Sequence, residues 1–159
     1  MTSRTRKAST HVSVRTATSA DLPAVLRMDG RARSDDVERS AYLAECLRSE
    51  HCLVACGPGA TDEHGVIGLT VLRQGHFFSQ DFIDYLWVQA EHRREGIGST
   101  LLQACVAEAT STRVFTSTNQ SNRPMQELLA AQGWLLSARL QGLDQRDPEL
   151  VYFLDHAPR

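Results

Sequence analysis

The sequence is short of everything that would mark a membrane span, a metal knuckle or a disulfide scaffold. No apolar run approaches the ~20 residues a spanning helix requires, and the first residues lack the apolar stretch of a secretory leader. A cytoplasmic chain with no membrane partner is therefore expected. The four cysteines, Cys46, Cys52, Cys56 and Cys105, contain no C-x-x-C pair. They read as reduced thiols, and with the six histidines scattered along the chain no metal is expected. Neither sign of charge dominates: 17 basic against 19 acidic residues leave a net charge of −2, which argues against a nucleic-acid partner. Arg4, Arg6 and Lys7 lie in a Ser/Thr-rich stretch, so residues 1–11 are expected to form a disordered tail. What is plentiful is core material. At 42% hydrophobic residues, positions 12–159 suffice for a single domain.

Periodicity along the chain predicts the order βααβββαβαββ. Val12–Ala17 alternates as a half-buried strand does. Thr18–Asp21 starts a helix to about Gly30. Ser34-Asp35-Asp36 caps a second helix to about Glu50, with Val37, Ala41, Ala44 and Leu47 as its stripe, Leu43 at its edge and Cys46 on the far side. Cys52–Cys56, Val66–Arg73 and Phe82–Gln89 read as strands, with Gln74–Gln80 as a connection. After the last of these strands, Ile97, Leu101, Leu102, Cys105 and Ala109 share one helical face. Val114–Thr118 is a further strand. Ser121 or Asn122 then caps a helix with Pro124 in its first turn, an apolar stripe of Met125, Leu128 and Leu129, and Gly133 as its stop. Trp134–Leu140 and Leu150–Leu154 close the domain.

The most informative segment is Leu86 to Ser99: a strand end, a basic turn, and two glycines opening a helix. Bare backbone N–H groups at a positive helix end make a site for phosphate. Two better-known phosphate motifs fail here. A dinucleotide fingerprint needs a third glycine where Leu101 stands, and a Walker loop needs a lysine that is absent. What remains is Arg-x-x-Gly-x-Gly: Arg93, Gly96 and Gly98.

This turn resembles the acyl-CoA pyrophosphate loop of the GNAT superfamily of N-acetyltransferases. A second segment strengthens the likeness. Asn122, Met125, Leu128, Leu129, Gly133 and Trp134 occupy the places of the family pattern Asn-x-x-Ala-x-x-Leu-Tyr-x-x-x-Gly-Phe. The resemblance spans residues 12–155 and implies an α/β (α+β) GNAT fold. That is a mixed, strongly twisted sheet of six to seven strands with about four helices on both faces. It also implies that the strand of Phe82–Gln89 splays from that of Val114–Thr118, leaving a gap for the cofactor arm.

The activity implied is acetyl-CoA-dependent N-acetylation of a small-molecule primary amine by direct attack in a ternary complex. The alternatives are acetylation of a protein lysine or N-terminus, and a non-catalytic acetyl-CoA sensor. Acetyl-CoA would be held by Leu86 and Val88 on the strand, by Arg93, Arg94, Gly96, Ile97, Gly98 and Ser99 in the loop, and by Asn122, whose other reading is a plain helix cap. The Val88 N–H would stabilise the thioester oxyanion. Asp84 would be the general base, on the face of Leu86 and Val88 if no bulge intervenes. His76, in the preceding connection, is the alternative base, while His92 reads as a surface residue. The family's proton-donating tyrosine is replaced by Leu129, which leaves water, Tyr152 or Tyr85 to protonate the thiolate. Three carboxylates in Asp144–Glu149 could attract a cationic acceptor, although such loops are usually only solvated. A homodimer is the family-based expectation. Trp87, Phe77, Phe78 and Phe82 suit either a pocket wall or an interface.

Overall fold

A computed structural model describes residues 11–29, 36–58 and 65–157. The expected tail, apart from His11, lies outside the described residues, as do Ser34 and Asp35. The elements are β1 (Ser13–Thr16), α1 (Leu22–Met28), α2 (Val37–Ser49), β2 (His51–Cys56), β3 (Val66–Phe77), β4 (Gln80–Val88), α3 (Ile97–Ala107), β5 (Arg113–Asn119), α4 (Arg123–Ala131), β6 (Leu135–Leu140) and β7 (Glu149–Asp155). Their order is the one periodicity predicts.

The seven strands form one mixed sheet in the order β1-β2-β3-β4-β5-β7-β6. Every neighbouring pair is antiparallel except β4–β5. Alternate strand residues feed two cores. On one face Leu53, Ile67, Leu72 and Ile83 pack with Ile97, Leu101, Leu102 and Cys105 of α3 and Leu129 of α4. On the other, Val54, Leu69, Val71 and Tyr85 pack with Val25 and Met28 of α1 and Leu43, Cys46 and Leu47 of α2. α3 buries the face its periodicity predicts and comes down directly on Gly68 of β3. A Cβ there would lie 2.8 Å from Leu101 Cδ1, so only glycine lets this helix sit so close. α4 begins as expected, with Asn122 Oδ1 accepting from the Met125 N–H. It ends at Gly133 (φ +81°), where Gly133 N–H bonds Ala130 C=O and Trp134 N–H bonds Leu129 C=O.

Two expectations fail, each for a tertiary reason. The stripe of α2 is Leu43, Cys46 and Leu47, and Val37 is 78% exposed. An i, i+3, i+4 set with two leucines outweighs a phase set by small alanines and a first-turn valine. Gln74–Gln80 is not a connection, because β3 and β4 continue to a two-residue turn at Phe78 and Ser79, with φ of +51° and +63°. Asp81 staples the base of this hairpin. Its buried carboxylate accepts from the N–H groups of Gly75, Thr110 and Ser111, and from the Thr110 hydroxyl.

Burial alone would raise the Asp81 pKa, but these donors outweigh it and hold the carboxyl below its ordinary value. A depressed folded-state pKa stabilises the fold above the unfolded value and loses that contribution as pH falls through the folded one. Asp81→Asn should therefore lower the unfolding free energy at pH 7, by about 1.5–3 kcal/mol for bonds to a charged group. The gap from wild type should narrow below about pH 4, which urea titrations at pH 7 and pH 3 would check.

Candidate active site

The parallel β4–β5 pair opens partway along. Pairing runs from Asp81↔Val114 to Ile83↔Thr116, and the strand ends beyond it, Asp84–Val88 and Ser117–Asn119, are unpaired with each other. At the parting point the Thr116 hydroxyl takes over, donating to the Ile83 carbonyl at 2.9 Å. This is the splay the resemblance implies.

The register with β3 decides what faces the gap. Gln89 N–H donates to Ile67 C=O at 2.9 Å, and Val88 lies opposite Gly68. In an antiparallel ladder bonded positions alternate. Leu86 and Val88 fall on the other positions, so their N–H and C=O groups point away from β3, into the gap. Their side chains pack toward α3 and α4.

At the mouth of the gap a short 3-10 turn, Ala90–His92, leads to Arg94 (φ +69°) and Gly96 (φ +82°), after which α3 begins. The first helical bond runs from Thr100 N–H to Gly96 C=O. The N–H groups of Ile97, Gly98 and Ser99 thus lack intrahelical acceptors, and the N-cap residue Gly96 has no side chain to cap them. Gly98 keeps this turn tight, since a Cβ would lie 3.3 Å from Leu128 Cδ2 and 3.8 Å from Val88 Cγ2. Ser99 Oγ and C=O both accept from Gln132 Nε2, which ties the start of α3 to the end of α4.

The two arginines differ. Arg94 is largely exposed at the rim, 3.9 Å from Glu127. Arg93 folds back on the strand: its Nε donates to Val88 C=O at 3.1 Å and its guanidinium lies 5.3 Å from the Trp87 ring centre. Across the gap Asn122, besides capping α4, donates to Thr118 Oγ1 at 3.0 Å.

Asp84 corrects the expectation of face. Val71 pairs with Tyr85 but Leu72 pairs with Ile83, so Asp84 is the extra residue of a β-bulge. The bulge turns its side chain away from the face of Leu86 and Val88, toward α2. There Asp84 Oδ2 accepts from the Tyr42 hydroxyl at 2.6 Å and lies 3.6 Å from Arg73, which also holds Glu50. Burial and the neighbouring carboxylate push the Tyr42 phenol above its ordinary range, so it stays a donor. Tyr42 is absent from the sequence-based site. Its partner is 42 residues away, and nothing local announces it.

The other candidates fall elsewhere. His76 is an exposed residue of β3 near the hairpin turn, not of a connection. From that end of β4 to Val88 is roughly 26 Å at about 3.3 Å per residue. His92 pairs with Glu95 at the loop's edge. The Tyr85 hydroxyl is committed to buried Asp29, which also holds Arg39 of α2. Tyr152 and Leu129 are buried in the α3/α4-side core. In the β6–β7 loop, Asp147 accepts from Ser121 N–H and Oγ, anchoring that loop to the start of α4. All four cysteines are free and buried, and burial raises the Cys52 and Cys105 thiols to about 12. Among the described residues no group of three or more His, Cys, Asp or Glu is placed to hold a metal ion, and no helix is long and apolar enough to cross a membrane.

Fold and gap together define the acyl-CoA transferase class that the sequence resembles. A family model, "Acetyltransferase (GNAT) family", matches residues 20–134, and the chain belongs to that family: it is a GNAT N-acetyltransferase. Among curated proteins none matches in sequence. Among solved structures, a GNAT acetyltransferase of Bacillus cereus is 24% identical with a TM-score of 0.80, over 92% of this chain and 99% of that one. Arabidopsis thaliana NAA60, in complex with a bisubstrate analogue, is 14% identical with a TM-score of 0.74, over 94% and 100%. Salmonella typhimurium yncA, solved with its cofactor acetyl-CoA, is 17% identical with a TM-score of 0.70, over 94% and 96%.

Proposed function

We propose that the chain transfers the acetyl group of acetyl-CoA to a primary amine of a small molecule, by direct attack within a ternary complex. The observation that carries this reading is the linear order of groups along β4. The bare N–H groups of Ile97, Gly98 and Ser99 stand at the mouth of the gap, with the N–H groups of Val88 and Leu86 behind them and the exposed Asp84 carboxylate farthest along the strand. An acyl-CoA presents its chemistry in that sequence: diphosphate, pantetheine amides, thioester, and then the attacking amine. Acetyl-CoA supplies the activated acyl carbon and a thiolate leaving group.

Spacing favours Leu86 over Val88, the donor the resemblance implies, for the oxyanion. Asp84 lies about 13 Å along the strand from Val88 but only about 7 Å from Leu86. A carboxylate bridged by one water reaches about 6 Å. With Asp84 as base, the Leu86 N–H is therefore the donor to the thioester oxygen, and the Val88 N–H serves the pantetheine arm one pleat nearer the mouth. One such donor contributes about 2.7–4 kcal/mol in comparable sites. Asp84 takes the ammonium proton through water from the α1/α2 side of the gap. The Tyr42 hydroxyl holds Oδ2 and leaves Oδ1 for this task. A lysine-like amine has a pKa of about 10.4, so an acceptor arrives protonated and needs such a base. Leu129 gives no proton, and solvent can protonate a thiolate whose parent thiol has a pKa of about 8.5.

The direct test is thermal unfolding with saturating acetyl-CoA, CoA or ATP, followed by an amine screen read by thiol release. Acetyl-CoA at 100-fold over its Kd should add about 2.7 kcal/mol, a rise of roughly 5 °C or more for a domain of this size. ATP should add nothing. No shift with either CoA species would overturn the reading.

A further inference from the structure

We infer that the Arg93 side chain positions the open edge of β4 and is not a phosphate ligand. This rests on the acetyl-transfer reading of the same site. Where β5 departs, the carbonyls of β4 that face it lose their strand partners and need others. Side chains stand in at both ends of the opened stretch. Thr116 Oγ1 donates to Ile83 C=O at 2.9 Å at the inner end, and Arg93 Nε donates to Val88 C=O at 3.1 Å at the outer end.

The guanidinium is fixed a second time over the Trp87 ring, at 5.3 Å. Trp87 is itself pinned, its Nε1 donating to Met28 C=O at the end of α1 at 3.2 Å. Arg93 thus bonds the strand end from the gap side and ties it to the acceptor-side helix. The N–H groups of Leu86 and Val88 lie on the stretch held between these two clamps, so their aim depends on both.

Side-chain length supplies a discriminating pair of variants. The amide nitrogen of glutamine stands as many bonds from Cα as Arg Nε does, so Arg93→Gln keeps a donor at that atom and discards the charge. Lysine has a methylene there and carries its donors one bond further out, so Arg93→Lys keeps the charge and moves the donor off that atom. The donors to compare are acetyl-CoA and S-acetylpantetheine, which lacks the diphosphate. Turnover is read as thiol release with one amine from the screen as acceptor. Arg93→Lys and Arg93→Ala should lose tenfold or more in kcat/KM, by the same factor with both donors, and Arg93→Gln should stay within threefold of wild type. A loss confined to acetyl-CoA and rescued by lysine but not glutamine would overturn the inference, as would unchanged turnover in Arg93→Ala.

A second readout needs no turnover. Trp134, one of only two tryptophans, has a buried indole N–H without a hydrogen-bond partner, so Trp134→Phe is a mild change that leaves Trp87 as the single emitter. In that background Arg93→Ala should alter Trp87 emission, and the difference should persist at saturating CoA. No difference at all, or its collapse when CoA is added, would show that the guanidinium is not held on Trp87 and would overturn the inference. Failure of the wild-type protein to bind any CoA species is a separate result. It sinks the acetyl-transfer reading, whatever Arg93 does.

Discussion

Asp84→Asn should lower turnover by about 10²–10⁴-fold, the usual scale of a general base, while the Kd for acetyl-CoA stays within about threefold. The asparagine keeps the volume of the carboxylate and still accepts from the Tyr42 hydroxyl, the 2.6 Å bond that fixes Asp84 on the α2 side of the bulge. Arg73 retains Glu50 at 3.2 Å, so no cation is stranded. Only proton acceptance is removed. The defect should therefore shrink as pH rises toward the pKa of the amine, where bulk solvent supplies the neutral nucleophile and the base becomes redundant. A rate-versus-pH profile of both proteins, with one amine from the screen, separates this from a structural defect, which would persist at every pH. Unchanged turnover at pH 7 removes Asp84 from the mechanism.

The bulge that places Asp84 also marks the limit of sequence reading here. Element order, the buried face of α3, the Asn122 cap and the Gly133 stop follow from short-range rules. Each depends on a periodicity or on a residue's fit to one backbone conformation, and both are written locally. The bare helix start is legible for the same reason, since Gly96 and Gly98 stand next to it in the chain. The bulge is different. One extra residue in β4 is defined only by the register with β3, and nothing in Ile83-Asp84-Tyr85 announces it. Its consequence is a reversed side chain and a new partner, Tyr42, from a helix whose phase periodicity misjudged. Arg93 shows the same limit at finer scale. Its place in the motif suggests phosphate, yet the direction of its side chain depends on an unpaired carbonyl that exists only because β4 and β5 part. Asp81 is a third case: it is buried because Gly75 of β3, 6 residues away, and the turn at Thr110 and Ser111, 29 and 30 residues away, bring their N–H groups onto it.

Gly96→Asp should abolish detectable acetyl-CoA binding while leaving the protein folded, and the contrast with Gly96→Ala carries the argument. Both variants pay for a side chain at φ +82°, about 1–2 kcal/mol for the left-handed region. Neither meets a steric obstacle, since nothing lies within 4 Å of a Cβ built there. Alanine therefore reports the backbone cost alone and should shift thermal unfolding and Kd only modestly. Aspartate adds a carboxylate beside the unpaired N–H groups of Ile97, Gly98 and Ser99. It competes for those donors and repels an incoming diphosphate, by about 3 kcal/mol for each phosphate charge at 5 Å with an effective dielectric of 20. One such term is already worth more than 100-fold in affinity. Titration calorimetry on the two variants, with circular dichroism as the check on folding, gives the answer. If Gly96→Asp binds as Gly96→Ala does, the diphosphate does not sit at the start of α3, and the order of groups along β4 that supports acetyl transfer loses its outer anchor.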